Sequence, residues 1–69
     1  MKYFEDNEIR KVYKECIKCK ERQQSNIEYL INIYNKIYNT TYVDISFYTV
    51  MNLLEVIEHE AAKRFAEQE

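Results

Sequence analysis

The chain has no glycine and no proline among its 69 residues, and that absence limits its fold more than anything present does. Tight β-hairpins and phosphate-cradling loops depend on glycine at positive φ. The absence of glycine and proline argues against an all-β fold and excludes the Gly-rich nucleotide motifs, and an all-α fold of long helices with a plain connection is expected. Hydrophobic residues make up 46% and charged residues 32%, which suits a folded domain rather than a disordered chain. A single domain of this size buries only about 60% of the surface its unfolded chain exposes, so such domains lean on staples or partners.

The helical period is explicit. Ile9, Tyr13, Cys16, Lys20, Gln23, Ile27, Leu30, Tyr34 and Ile37 follow an unbroken four-three alternation, the seam of packed helices. Val12, Ile17, Ile31 and Tyr38 widen the stripe. After "NTTYVD" the period resumes at Phe47, Val50, Leu54, Ile57, Ala61 and Phe65. Glu5, Asp6 and Glu8 at the start, and Lys63 and Arg64 near the end, carry the signs that helix dipoles favour. The pattern predicts a long antiparallel helical hairpin in one domain, 1–69: a helix over 5–39, a connection over 40–45, and a helix over 46–68 capped by Asp44 or Ser46. Two alternatives stay open. Val43, Ile45 and Phe47 alternate with polar neighbours as a short strand does, although no second strand-like run would pair with it. Residues 18–26 hold no apolar side chain except Cys19, and Ser25 with Glu28 has capping-box spacing, so a break near Ser25 would give a three-helix bundle.

In the hairpin, Gln23 faces Ala61 and Lys20 faces Arg64. Its first helix would run roughly 50 Å and its second roughly 35 Å at 1.5 Å per residue, leaving the N-terminal turns to overhang. Tyr3, Ile9, Arg10, Val12, Tyr13 and Lys14 are on that account the candidate protein-binding residues. Cover by a second copy predicts a homodimer, the two hairpins forming a four-helix bundle.

Little else in the sequence carries chemistry. Cys16 and Cys19 fall mid-helix, without the helix N-terminus that stabilises a reactive thiolate. With two cysteines and one histidine, only a symmetric dimer would complete a tetrahedral zinc site. The expectation is inert helix positions, with no catalytic residue, cofactor or metal. His59 lies among Glu55, Glu58 and Glu60 and matches no metal-binding or triad spacing. Arg10, Lys11, Lys14, Lys18 and Arg22 form a basic face over residues 10–22, which Glu8, Glu15 and Glu21 interrupt, and the chain is net −2. The second helix is acidic, a charge pattern that also suits mimicry of nucleic acid. Seven tyrosines serve equally well as core edges or as contact surface.

The charged opening "MKYFEDNEIRK" lacks a signal-peptide core, so a cytoplasmic protein without membrane contact is expected, its cysteines as thiols. Abundant Lys, Asn, Ile and Tyr fit an AT-rich coding sequence, as in low-GC bacteria and their phages. Small helical hairpins that inhibit or dephosphorylate bacterial signalling proteins are similar in architecture. The Ser-Gln-Glu-Leu-Asp motif of the sporulation phosphatases is absent, and no residue role carries over. The expected function is non-enzymatic: binding and inhibiting or regulating another protein by occupying its surface, as a phage or mobile-element product would. The alternative is a small dimeric nucleic-acid-binding regulator that uses the basic face of residues 10–22.

Overall fold

The computed structural model describes residues 4–67. Three α-helices follow one another: α1 (Asp6–Lys20), α2 (Ile27–Tyr38) and α3 (Phe47–Glu67). Among the described residues no strand forms, and the segment around Val43 is an irregular connection. The single helix over 5–39 is not formed. The longest extent of the molecule is 37 Å, too short for the roughly 50 Å that 35 helical residues would need. The three-helix arrangement, the alternative weighed from the sequence, is the one adopted.

The break is made without glycine. Arg22 adopts φ 59°, the left-handed conformation that ends helices. Its N–H donates to Cys19 O at 3.1 Å, and the Gln23 N–H donates to Lys18 O at 2.8 Å. These are the paired bonds of a Schellman motif, here with arginine in glycine's usual place. Asn39, at φ 53°, does the same for α2, with Thr40 N–H donating to Asn35 O at 3.1 Å. A side chain left of Cβ costs about 1–2 kcal/mol in this conformation, a cost the satisfied carbonyls offset.

The restart of the chain is capped from two sides. Glu15 Oε2 accepts the Asn26 N–H at 2.8 Å, and Asn26 Oδ1 accepts the Tyr29 N–H at 3.0 Å. Asn26 is thus the N-cap of α2, one residue beyond the Ser25 that the capping-box spacing points to. Ser46 caps α3, its Oγ accepting the Thr49 N–H at 3.2 Å. Ile45, just before it, packs against the core.

Packing centres on α1. Phe4, Ile9, Val12, Cys16, Leu30, Ile33, Val50, Leu53, Leu54 and Ile57 form one buried cluster with no buried polar or charged side chain among the described residues. The α3 helix runs antiparallel to α1: Arg64 Nη1 donates to Asp6 Oδ1 at 2.8 Å, and Nη2 donates to Phe4 O at 2.6 Å. Ile9 and Ala61 line one cleft. This register replaces the expected one. Arg64 meets Asp6 rather than Lys20, and Ala61 meets Ile9 rather than Gln23, in each case fourteen residues earlier (20 to 6, 23 to 9). Fourteen residues are two heptads, so the slip leaves the seam's phase unchanged.

The α2 helix also runs against α1. Asn26 bonds Glu15, Lys11 Nζ lies 4.6 Å from the Tyr29 ring centroid, and Lys36 Nζ lies 4.7 Å from that of Phe4. Helices α2 and α3 therefore run in the same general sense, and residues 39–46 carry the chain back between them. Asn35 organises that return. Its Oδ1 accepts from Tyr42 N at 3.0 Å and from Thr40 Oγ1 at 2.7 Å, and its Nδ2 donates to Tyr42 O at 2.9 Å.

Candidate interaction surfaces

The N-terminal overhang does not exist, because α3, at 21 residues, is longer than the 15-residue α1. Ile9 (5% exposed) and Val12 (0%) sit in the core against it, so two of the six candidate binding residues are structural. Arg10, Tyr13 and Lys14 remain exposed. Tyr3 lies outside the described residues.

One open surface is the flank of the α1–α3 pair that faces away from α2. Glu15, Lys11 and Phe4 mark the side of α1 that meets α2. On the opposite flank Asp6, Arg10, Tyr13 and Ile17 recur at four-three-four spacing. On α3, Phe47, Met51, Leu54, Glu58 and Phe65 follow the same seam period. The stripes meet where Asp6, Ile9, Arg10, Ala61, Arg64 and Phe65 line a small cleft. Phe65 is 69% exposed, Phe47 53% and Tyr13 39%; Ile17 and Met51 are half-buried. Arg10 and Lys14 follow the α1 edge of this flank, and Glu58 lies on its α3 side.

The other open surface is a groove of about 680 Å³ between α2 and α3, lined by Tyr34, Tyr38, Asn52, Glu55, Val56, His59 and Glu60. Its α2 wall is aromatic. The Tyr34 ring centroid lies 4.5 Å from that of Tyr38 and 5.7 Å from that of Tyr42, all tilted. Its α3 wall carries carboxylates. Glu60 Oε1 accepts from Arg64 Nε at 3.1 Å, while Glu55 is exposed and forms no ion pair among the described residues. Sequence reasoning placed Tyr34 and Tyr38 on the core stripe and missed the groove. The signal was the i, i+4 tyrosine pair on a helix with apolar residues at eight of twelve positions, more than one core contact would cover.

Cys16 is buried and Cys19 half-buried, both as free thiols. Burial pushes the Cys16 thiol up to about 12, with Cys19 and Glu15 adding to the shift. At 0% exposure Cys16 is enclosed by the core, an environment that counts against the intermolecular four-cysteine site weighed from the sequence. Among the described residues no group of three or more His, Cys, Asp or Glu is placed to hold a metal ion. Tyr29 is likewise raised to about 12, chiefly by burial and then by Glu8, Glu15 and Cys16; its hydroxyl is buried without a hydrogen-bond partner. No helix among the described residues is long and apolar enough to cross a membrane.

The basic face is cleaner in three dimensions than in the sequence. Arg10, Lys11, Lys14 and Lys18 are exposed, whereas Glu8 and Glu15 turn partly inward, and Glu15 also pairs with Lys18 at 3.4 Å. Fold and surfaces together define a small three-helix domain with two open surfaces among the described residues, one largely apolar and the other aromatic and acidic. No family model matches this sequence, and comparisons with curated proteins and with solved structures find no match either.

Proposed function

We propose that the chain is a non-enzymatic interaction protein that works as a homodimer and regulates another protein by occupying its surface. The supporting observation is the uncovered α1–α3 flank, where Tyr13, Phe47 and Phe65 are held in solvent. A surface of that kind rimmed by charge marks association. From Phe47 to Phe65 the flank runs roughly 27 Å, and two adjacent helices are about 20 Å wide. Pairing two copies would bury about 1,000 Å² in total, the lower bound for a specific interface. A two-fold axis along the helices sets the α1 edge of one copy, with Arg10 and Lys14, against the α3 side of the other, with Glu58. The result is a four-helix core of two α1–α3 pairs with α2 outside. Sedimentation at micromolar concentration should give twice the chain mass, and Tyr13→Asp should halve it without loss of helicity. A wild-type mass of one chain would overturn the dimer.

A second reading rests on the exposed basic residues of α1, Arg10, Lys11, Lys14 and Lys18, beside which Glu8 and Glu15 are half-buried. Four cations along a helix suit phosphate contacts. Duplex DNA titrated at several salt concentrations would then bind with a log–log slope of about −3 to −4. No binding at low salt would remove this reading.

A further inference from the structure

We propose that the α2–α3 groove binds a basic segment of a partner protein, seating an arginine side chain between the tyrosine wall and Glu55. The inference rests on the reading that this protein acts by contact with another. It assigns the contact to the groove rather than to the α1–α3 flank, and names its chemistry.

Three features converge on a guanidinium. First, the volume of about 680 Å³ falls within the range of about 300–1,000 Å³ typical of ligand clefts, enough for several side chains of an extended or helical segment. Second, Tyr34 and Tyr38 line the groove; Tyr38 is 42% exposed and its ring centroid lies 4.5 Å from that of Tyr34. An aromatic face carries the negative side of the ring quadrupole and attracts a cation within about 6 Å, arginine most often because its planar group stacks. The protein already uses this contact twice in its own packing, Lys11 on Tyr29 and Lys36 on Phe4. Third, no lysine or arginine is among the described residues lining the groove. Glu60 is engaged by Arg64, so Glu55 is the carboxylate positioned to receive a bidentate guanidinium. Asn52 and His59 flank Glu55 on the same face of α3, spaced to bond the backbone of a bound segment.

The other surfaces carry less. The cleft beside Arg10 and Phe65 belongs to the flank already described, and Cys19 is a lone half-buried thiol beside the inert Cys16.

The experiment is a ¹H–¹⁵N titration of the full chain with an acetylated, amidated pentapeptide containing two arginines, alongside its lysine and glutamate counterparts. The arginine peptide should shift Tyr34, Tyr38, Asn52 and His59 saturably, about threefold more tightly than the lysine peptide. The glutamate peptide should leave them unmoved. Glu55→Lys should weaken binding at least about tenfold and Tyr38→Ala about threefold to tenfold, whereas Glu67→Lys, outside the groove, should match the wild type. Shifts spread over all exposed carboxylates, equal binding by the glutamate peptide, unchanged affinity in Glu55→Lys, or no shifts at millimolar peptide would each overturn the assignment. Sedimentation of the same samples separates the two proposals: a dimer that ignores the peptide refutes the groove alone, and a monomer that binds it refutes the dimer alone.

Discussion

The α1–α3 pair and the α2 helix are held by different forces. α3 buries Val50, Leu53, Leu54 and Ile57 in its N-terminal half, and its C-terminal half reaches α1 through Arg64 and Asp6. α2 has apolar residues at eight of its twelve positions yet buries only Leu30 and Ile33. Much of its attachment is polar or edge-on: the Glu15–Asn26 bond, the Asn35 network and two cation–ring contacts. Burial of apolar area stabilises by about 25 cal/mol per Å², whereas a net hydrogen bond contributes only about 0.5–1.5 kcal/mol. The pair is therefore the stable frame, and α2 is the lightly docked element. The same imbalance leaves Tyr38 in solvent and Tyr34 half-buried, and so creates the groove.

The largest effect should come from truncating the frame. Leu53→Ala removes a side chain at 0% exposure and should cost about 3–5 kcal/mol, much of what a domain of this size possesses. Ile33→Ala, in α2 at 4% exposure, should cost nearer about 2 kcal/mol because the helix can settle into the space. Urea unfolding of both variants checks the ordering. Equal losses would mean that α2 is as tightly packed as α3.

Acid should loosen α2 before it loosens the frame. The Asn26 N–H, chiefly, holds the Glu15 carboxyl below its ordinary value of 4.5, with Lys18 and Lys11 contributing. A depressed carboxylate contributes its full stability above the unfolded value and loses it as pH falls through the folded one. About 1 kcal/mol should therefore disappear on acidification below pH 4.5. Glu15→Gln should lack most of that dependence while melting lower at pH 7. An unchanged acid limb in the variant would show that Glu15 does not hold the break.

The smallest effect should be a gain. Arg22→Gly removes the Cβ penalty at φ 59°, about 1–2 kcal/mol, less the extra freedom glycine gives the unfolded chain, about 0.5–1 kcal/mol. A net stabilisation of about 0.5–1 kcal/mol in thermal unfolding is expected. A loss of stability would mean that the helix runs through residue 22.

These sites also show how far the sequence could be read. The all-α class followed from the absence of glycine and proline, and part of each seam was correct: Ile9, Cys16, Leu30, Val50, Leu54 and Ile57 are buried, whereas Tyr13, Lys20, Gln23, Ile27, Phe47, Ala61 and Phe65 are exposed. The break was harder to see, because the residue that turns the chain is an arginine, a type that rarely adopts positive φ. The register was hidden for another reason. A shift of two heptads leaves every seam residue in phase, so periodicity alone could not tell Lys20 from Asp6 as the neighbour of Arg64. That error placed Ile9 and Val12 in an overhang and made them binding residues. Arg10, Tyr13 and Lys14 are exposed all the same, although Tyr13 was placed on the seam by its spacing. The groove needed the return of residues 39–46 along α2, which depends on Asn35 and leaves no periodic trace.

Native-state hydrogen exchange compares the two regions directly. Amides of α1 and α3 around Val12, Cys16, Leu53 and Ile57 should exchange only through global unfolding, with one shared free energy. Amides of α2 from Leu30 to Ile37 should exchange through a separate opening about 1–2 kcal/mol easier, and those of Gln24 and Ser25, between the two capped ends, with almost no protection. Uniform protection from Asp6 through Tyr38, at a single free energy equal to that of α3, would instead mean a continuous first helix and would contradict the two-tier fold from which the groove arises.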